Sequence, residues 1–116
     1  MTGIFSRQIM TVQTAKGFIN SVPGSSGRFM AGFMINNLLY GFSGNMGSGV
    51  PEFACYNAKL TYDDRGDLTT TRFFWGTVGM DDVSFTVENG PVISGRLNMP
   101  VSPSSSVAGT GVWTAN

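Results

Sequence analysis

Acidic side chains are the first candidates for chemistry in this sequence. The chain has seven acidic residues, no histidine and one cysteine, so catalysis through an imidazole base has no support. An enzyme built on carboxylates needs two acids that face each other across a cleft. Such an enzyme would draw its acid and base, with Tyr or Arg as helper, from four residues: Glu52, Asp81, Asp82 and Glu88. Asp81 and Asp82 are adjacent, which is typical of a turn rather than of a catalytic pair.

Three further acids lie in one short segment that resembles a loop. Asp63, Asp64 and Asp67 could offer oxygens to Ca²⁺, but their spacing is not that of a helix-loop-helix calcium site, and no bidentate glutamate follows. The segment from Tyr62 to Leu68 instead predicts a β-hairpin turn with Gly66 in the left-handed conformation. No metal site and no cofactor is therefore predicted.

The single cysteine is predicted to be structural. Cys55 has apolar and aromatic neighbours and no histidine to activate it, so we expect a buried, unreactive thiol rather than a nucleophile. An intrachain disulfide is impossible with one cysteine.

Aromatic side chains are the best candidates for a binding site. Their large flat faces can stack on a sugar or on another apolar ring, although packing in the core is the competing interpretation. The candidate ligand-binding residues are Trp75, Trp113, Phe73 and Tyr56. Trp75 lies in the middle of an apolar strand and is predicted to be in the core. Trp113 lies near the C-terminus, so we predict that it occupies a rim suited to recognition.

Charge restricts the possible partners. Seven basic residues are scattered among seven acidic ones, and charged residues make up only 12% of the chain, so the basic patch of a nucleic-acid binder is missing. A weakly charged surface favours a small neutral ligand, such as a sugar, or a homo-oligomer. No run approaches the ~18 apolar residues of a membrane span. No signal peptide is recognised, which favours a cytoplasmic location.

Alternation of apolar and polar residues between Gly- and Pro-containing turns predicts a β-protein. Residues 31–40 could also form a short helix. Loops are expected at 43–51, with Met46 exposed at the tip, and at 100–106; both loops are candidate partner contacts. The predicted strands are Ile4–Thr14, Arg28–Ile35, Leu38–Phe42, Phe53–Tyr62, Leu68–Val78, Val83–Glu88, Pro91–Met99 and Val107–Ala115.

For three of these strands, the sequence predicts how the side chains are divided between the two faces. The strand from Arg28 to Ile35 is apolar on both faces, so it is either central or covered by a partner. In the strand from Phe53 to Tyr62, the face that carries Tyr56, Ala58, Leu60 and Tyr62 is predicted to point inward. Phe73 and Trp75 are predicted to face away from Phe74.

Seven or eight strands joined by short links predict an all-β fold, an antiparallel meander that forms a small barrel, with a two-sheet sandwich as the alternative. The 116 residues fit a single β domain. We expect a non-enzymatic binding or interaction protein that self-associates, with a small-molecule or carbohydrate site near the aromatic residues. The alternatives are a structural subunit of a larger assembly, such as a virion or secretion component, and a small carboxylate-based β-barrel enzyme.

Overall fold

The computed structural model describes residues 12–47 and 49–116, and the predicted all-β architecture is confirmed. Residues 4–11 of the first predicted strand lie outside the described residues. The one described helix is a single 3₁₀ turn at Arg65–Asp67. The strands are β1 (Gln13–Ser21), β2 (Arg28–Ile35), β3 (Leu38–Asn45), β4 (Ala54–Tyr62), β5 (Thr71–Val87) and β6 (Val92–Ala115).

Five antiparallel strands close a barrel, as predicted. β1 pairs with β2 and β4, β2 pairs with β3, and β6 pairs with both β3 and β4, which completes the ring. β4 follows β3 in the chain but lies beside β1. β5 is an additional strand that pairs along β6. Closure leaves few free strand edges, which suits a chain with few charged side chains to protect them.

β5 and β6 are long and bent, and each contains most of two predicted strands: Leu68–Val78 and Val83–Glu88 lie largely in β5, and Pro91–Met99 and Val107–Ala115 lie largely in β6. The two halves of β5 lie side by side. The backbone N–H of Glu88, directly after the second half, donates to the Phe73 carbonyl in the first half (2.8 Å). Register shifts near Met80, which pairs with Val101, accommodate the bend. The prediction that residues 100–106 form a loop is wrong, since this segment runs inside β6 and follows the bend of β5.

The hairpin between β2 and β3 replaces the helix considered for residues 31–40. Asn36 and Asn37 both have positive φ (52° and 67°), as a tight two-residue hairpin turn requires. β3 then continues to Asn45, so the predicted loop at 43–51 starts later. The exposure predicted for Met46 is wrong: its side chain is fully buried, and its N–H donates to the Gly27 carbonyl (2.7 Å), which holds the chain against the barrel.

The predicted hairpin at residues 62–68 is wrong. β4 pairs with β1 and β6 but not with β5, so this segment connects strands that are not neighbours. The Asp64 Oδ1 accepts the N–H of Gly66 (2.8 Å), and the chain forms one 3₁₀ turn in which Gly66 does not adopt a positive φ. Local side-chain hydrogen bonding of this kind marks a turn without specifying which strands it joins.

Aromatic rings fill the interior of the barrel. Phe74 stacks on Phe85 with centroids 4.6 Å apart, and Phe29 meets both rings edge-on at 5.1 and 5.2 Å. Phe42 continues the cluster and contacts Trp113 at 4.5 Å. Because these side chains occupy the interior, a ligand or partner protein would have to contact the outer surface of the barrel.

Candidate functional site

Two of the four candidate aromatic residues lie together on the outside of the barrel. The side chains of Phe73 and Trp75 are 62% and 53% exposed, and Phe74 between them is buried, so the predicted alternation is confirmed. Their cross-strand partners on β6 are Thr110 and Ala108. The small alanine leaves the indole of Trp75 without a bulky neighbour directly opposite.

The predicted positions of the two tryptophans, one in the core and one at the surface, are reversed. Trp113 is only 4% exposed, so it lies in the core rather than at a rim, and Trp75 lies at the surface rather than in the core. Trp113 pairs with Phe42 on β3, which makes the end of β6 a closing strand of the barrel. Pairing with β3 on one side and β5 on the other prevents the fraying that its position in the chain suggested.

Tyr56 points outward, which contradicts the predicted inward face. Between its pairings with Gly17 and Ile19 of β1, β4 contains one extra residue, a β-bulge. The bulge changes the phase of alternation, so Cys55 and Ala58 point inward and Tyr56 is 63% exposed. Tyr56 lines different depressions from Trp75, so the four candidate residues do not form one site.

A shallow depression of about 560 Å³ surrounds Trp75 and Phe73. The described residues that line it are all uncharged: Asn45, Gly47, Phe73, Phe74, Trp75, Ala108, Gly109 and Thr110. Asn45 Oδ1 accepts the N–H of Gly47 (2.8 Å), which orients the amide and leaves its NH₂ group as a donor. The depression therefore combines two aromatic surfaces with neutral hydrogen-bonding groups. The sequence indicated the aromatic pair, but not Asn45, which belongs to a distant segment.

The candidate acids of a carboxylate enzyme occupy separate places. Glu52 precedes β4, and its Oε2 accepts the N–H of Gly24 (3.2 Å). Glu88 lies next to the aromatic pair, where its Oε1 accepts the N–H of Phe73 (3.1 Å). Asp81 and Asp82 are exposed where β5 bends. These positions do not place two acids across one cleft.

Cys55 is a fully buried free thiol on the inner face of β4. Burial raises the pKa of this thiol, and the carboxylate of Asp82 acts in the same direction, whereas a backbone hydrogen bond from Asn57 opposes them. A high pKa keeps the group protonated and weakly nucleophilic.

Residues 12–47 and 49–116 contain no group of three His, Cys, Asp or Glu side chains arranged to hold a metal ion. No helix in this described part of the chain has the length and apolar character to cross a membrane.

The fold and the surface together define a small closed antiparallel β-barrel with a filled interior and exposed aromatic residues on its outer face. Comparison with protein-family models, with curated proteins and with solved structures finds no match.

Proposed function

We propose that this protein is a non-enzymatic binding protein that recognises a neutral ligand, of which a carbohydrate is the best fit, at Phe73 and Trp75. The observation that carries the proposal is the joint exposure of these two large aromatic side chains on one face of β5. Full burial of a large apolar side chain contributes roughly 1.5–3 kcal/mol, and each of these two side chains, being more than half exposed, forgoes more than half of that free energy. A ligand that covers them recovers part of that free energy.

The chemistry of the depression favours a sugar. The C–H face of a pyranose ring is apolar and carries a small positive charge, so it complements the negative face of an indole or phenyl ring. The Asn45 amide and the Thr110 hydroxyl are neutral groups that can hydrogen-bond sugar hydroxyls. Glu88 beside Phe73 disfavours phosphate-bearing ligands by charge repulsion.

Titration with neutral oligosaccharides tests the proposal. Trp113→Phe leaves Trp75 as the only indole, so its fluorescence reports on the depression alone. We expect a saturable blue shift with at least one of cellohexaose, chitohexaose, mannohexaose and xylohexaose. Trp75→Ala in the wild-type background should abolish binding measured by calorimetry, and Tyr56→Ala, an exposed aromatic elsewhere, should not. Equal binding by both variants, or no binding to any of the four sugars, contradicts the proposal.

Self-association is the second part of the proposed function. The outer face of β1, β2 and β3 carries adjoining apolar side chains: Met34 and Leu39 are cross-strand partners, and Phe18 lies over Gly32 beside Leu39. Met34 and Leu39 are exposed. A chain with zero net charge has no overall repulsion between copies to keep this face apart.

Sedimentation velocity between about 10 and 200 µM tests self-association. We expect the wild type to form dimers or larger oligomers and Met34→Glu to be monomeric. Thr77→Glu adds the same charge on an exposed residue of β5 and should leave the oligomer unchanged. A monomeric wild type, or equal effects of both variants, contradicts the proposal. A series of ever larger species would favour a structural subunit of an assembly over a closed oligomer.

A further inference from the structure

A second depression, of about 460 Å³, lies where the β1–β2 turn, the start of β4 and the bend of β6 meet. It shares no lining residue with the depression around Trp75. Three exposed apolar side chains contribute to it: Met30 from β2, Tyr56 from β4 and Met99 from β6. Its volume is within the range of roughly 300–1,000 Å³ that ligand sites occupy. We call this depression the Tyr56 groove.

The bulge in β4 places Tyr56 in the groove. It turns Tyr56 outward, and at this point the strand depends on side chains for its hydrogen bonds. The N–H of Tyr56 donates to Asn98 Oδ1 (2.8 Å), and the N–H of Cys55 donates to Asn20 Oδ1 (3.2 Å). Bulges commonly re-aim a side chain beside a functional site. Here two amides from different strands hold Tyr56 in its outward position.

The polar side chains of the groove differ in which of their hydrogen-bonding atoms remain free to bind a ligand. The Ser21 hydroxyl is occupied, since its Oγ donates to the Phe53 carbonyl and accepts the Phe53 N–H. The side-chain oxygens of Asn20 and Asn98 accept backbone N–H groups, and among the described residues neither NH₂ group has a hydrogen-bond partner. The two amides therefore present hydrogen-bond donors beside an aromatic and methionine surface.

A ligand that complements this groove has acceptors, apolar bulk and few donors. Proline-rich segments have these properties: proline has no N–H, and the extended polyproline II helix makes no internal hydrogen bonds, so its carbonyls are free to accept. Such segments bind grooves lined with aromatic side chains and lose little conformational entropy on binding. Among the described residues, Glu52 is the one charged residue that lines the groove, which disfavours acidic segments.

We propose that the Tyr56 groove binds a proline-rich extended segment of a partner protein, with the ring of Tyr56 packed against prolines and the NH₂ groups of Asn20 and Asn98 donating to the segment's carbonyls. This activity is independent of the carbohydrate site at Phe73 and Trp75. The two surfaces can be tested separately because they share no lining residue.

Fluorescence anisotropy with a capped, fluorescein-labelled nonaproline peptide tests the proposal. We expect saturable binding to the full chain and weaker binding, by at least about tenfold, of a glycine–serine peptide of equal length. Asn98→Asp keeps an oxygen for the Tyr56 N–H but removes the donor, so it should weaken binding by about fivefold or more. Asn57→Asp makes the same charge change at an exposed residue outside the groove and should bind as the wild type does. Tyr56→Ala should abolish binding.

Circular dichroism and urea denaturation confirm that each variant is folded before its affinity is compared. Equal affinity for the two peptides, or wild-type affinity in Asn98→Asp or Tyr56→Ala, overturns the proposal. Tighter binding of a threonine–valine peptide also overturns it, because strand addition would then be the mode of recognition. Loss of nonaproline binding in Trp75→Ala but not in Tyr56→Ala would assign the peptide to the other surface and equally overturn the proposal.

Discussion

Replacement of Trp113 by alanine should be among the most destabilising single substitutions in the chain. The indole is 4% exposed and lies 4.5 Å from the ring of Phe42, between β3 and β6. Removal leaves a cavity at the seam where the last strand closes the barrel. Trp75→Ala, by contrast, removes a side chain that is 53% exposed.

The expected magnitudes follow from burial. An aromatic side chain buries ~150–250 Å², and at ~25 cal/mol per Å² this corresponds to about 4–6 kcal/mol. Substitutions of buried Phe or Trp by Ala typically cost ~3–5 kcal/mol, which we take as the loss for Trp113→Ala. The Trp113 Nε1–H is buried without a hydrogen-bond partner among the described residues. Because an unsatisfied buried donor costs about 1–3 kcal/mol, Trp113→Phe should recover much of the loss.

Urea denaturation followed by far-UV circular dichroism measures these differences in one signal for all variants. With a slope of about 2 kcal/mol per M, a loss of 4 kcal/mol lowers the midpoint by about 2 M. Trp113→Phe should remain within about 1 M of the wild type, and Trp75→Ala, whose side chain is 53% exposed, should lower the midpoint by less than Trp113→Ala does. A midpoint for Trp113→Ala equal to or above that of Trp75→Ala would refute the assignment of Trp113 to the closing seam.

Two further stability measurements test the packing. Gly76→Ala should cost about 1–3 kcal/mol, because its Cβ would collide with the Ser84 carbonyl, whereas Gly66→Ala, which meets only Asp64 at 3.4 Å, should cost less; equal losses by urea denaturation would contradict this. The buried Cys55 thiol should react with a disulfide reagent only after unfolding, and rapid native labelling would disprove its burial. Because burial raises the pKa of Cys55, the unfolded chain loses the proton first, so the free energy of unfolding should fall as pH rises above about 8.5. Cys55→Ala should remove that fall, and an unchanged slope would contradict the linkage.

Strand ends, tight turns and side-chain alternation could be predicted from the sequence, because each depends on residues close together in the chain. β2 has the predicted ends, since the Pro–Gly turn before it and the Asn36–Asn37 turn after it are set by neighbouring residues. Asn89 and Gly90 both have positive φ and form the turn between β5 and β6, whose flanking segments were predicted as strands. Strict alternation placed Phe73 and Trp75 on the face opposite Phe74.

Features that depend on a distant strand were not predictable from the sequence. The phase of β4 changes at Tyr56 because β1 supplies one residue fewer opposite the bulge, and the sequence of β4 alone does not reveal its partner. The burial of Trp113 depends on its pairing with β3, about seventy residues earlier in the chain. Asn45 and Trp75 line the same depression only because β3 and β5 both flank the end of β6.

Because the interior is filled, the effects of a substitution on binding and on the free energy of unfolding can be measured separately. Phe29, Phe42, Phe74 and Phe85 occupy the space where a larger barrel would hold a ligand, so each proposed partner must contact residues that the core does not need. Substitution of exposed residues usually changes stability by no more than about 0.5 kcal/mol. A variant at Trp75, Met34 or Tyr56 that loses its partner while keeping its urea midpoint therefore identifies the surface responsible, because more than half of each of these side chains is exposed and lies outside the core.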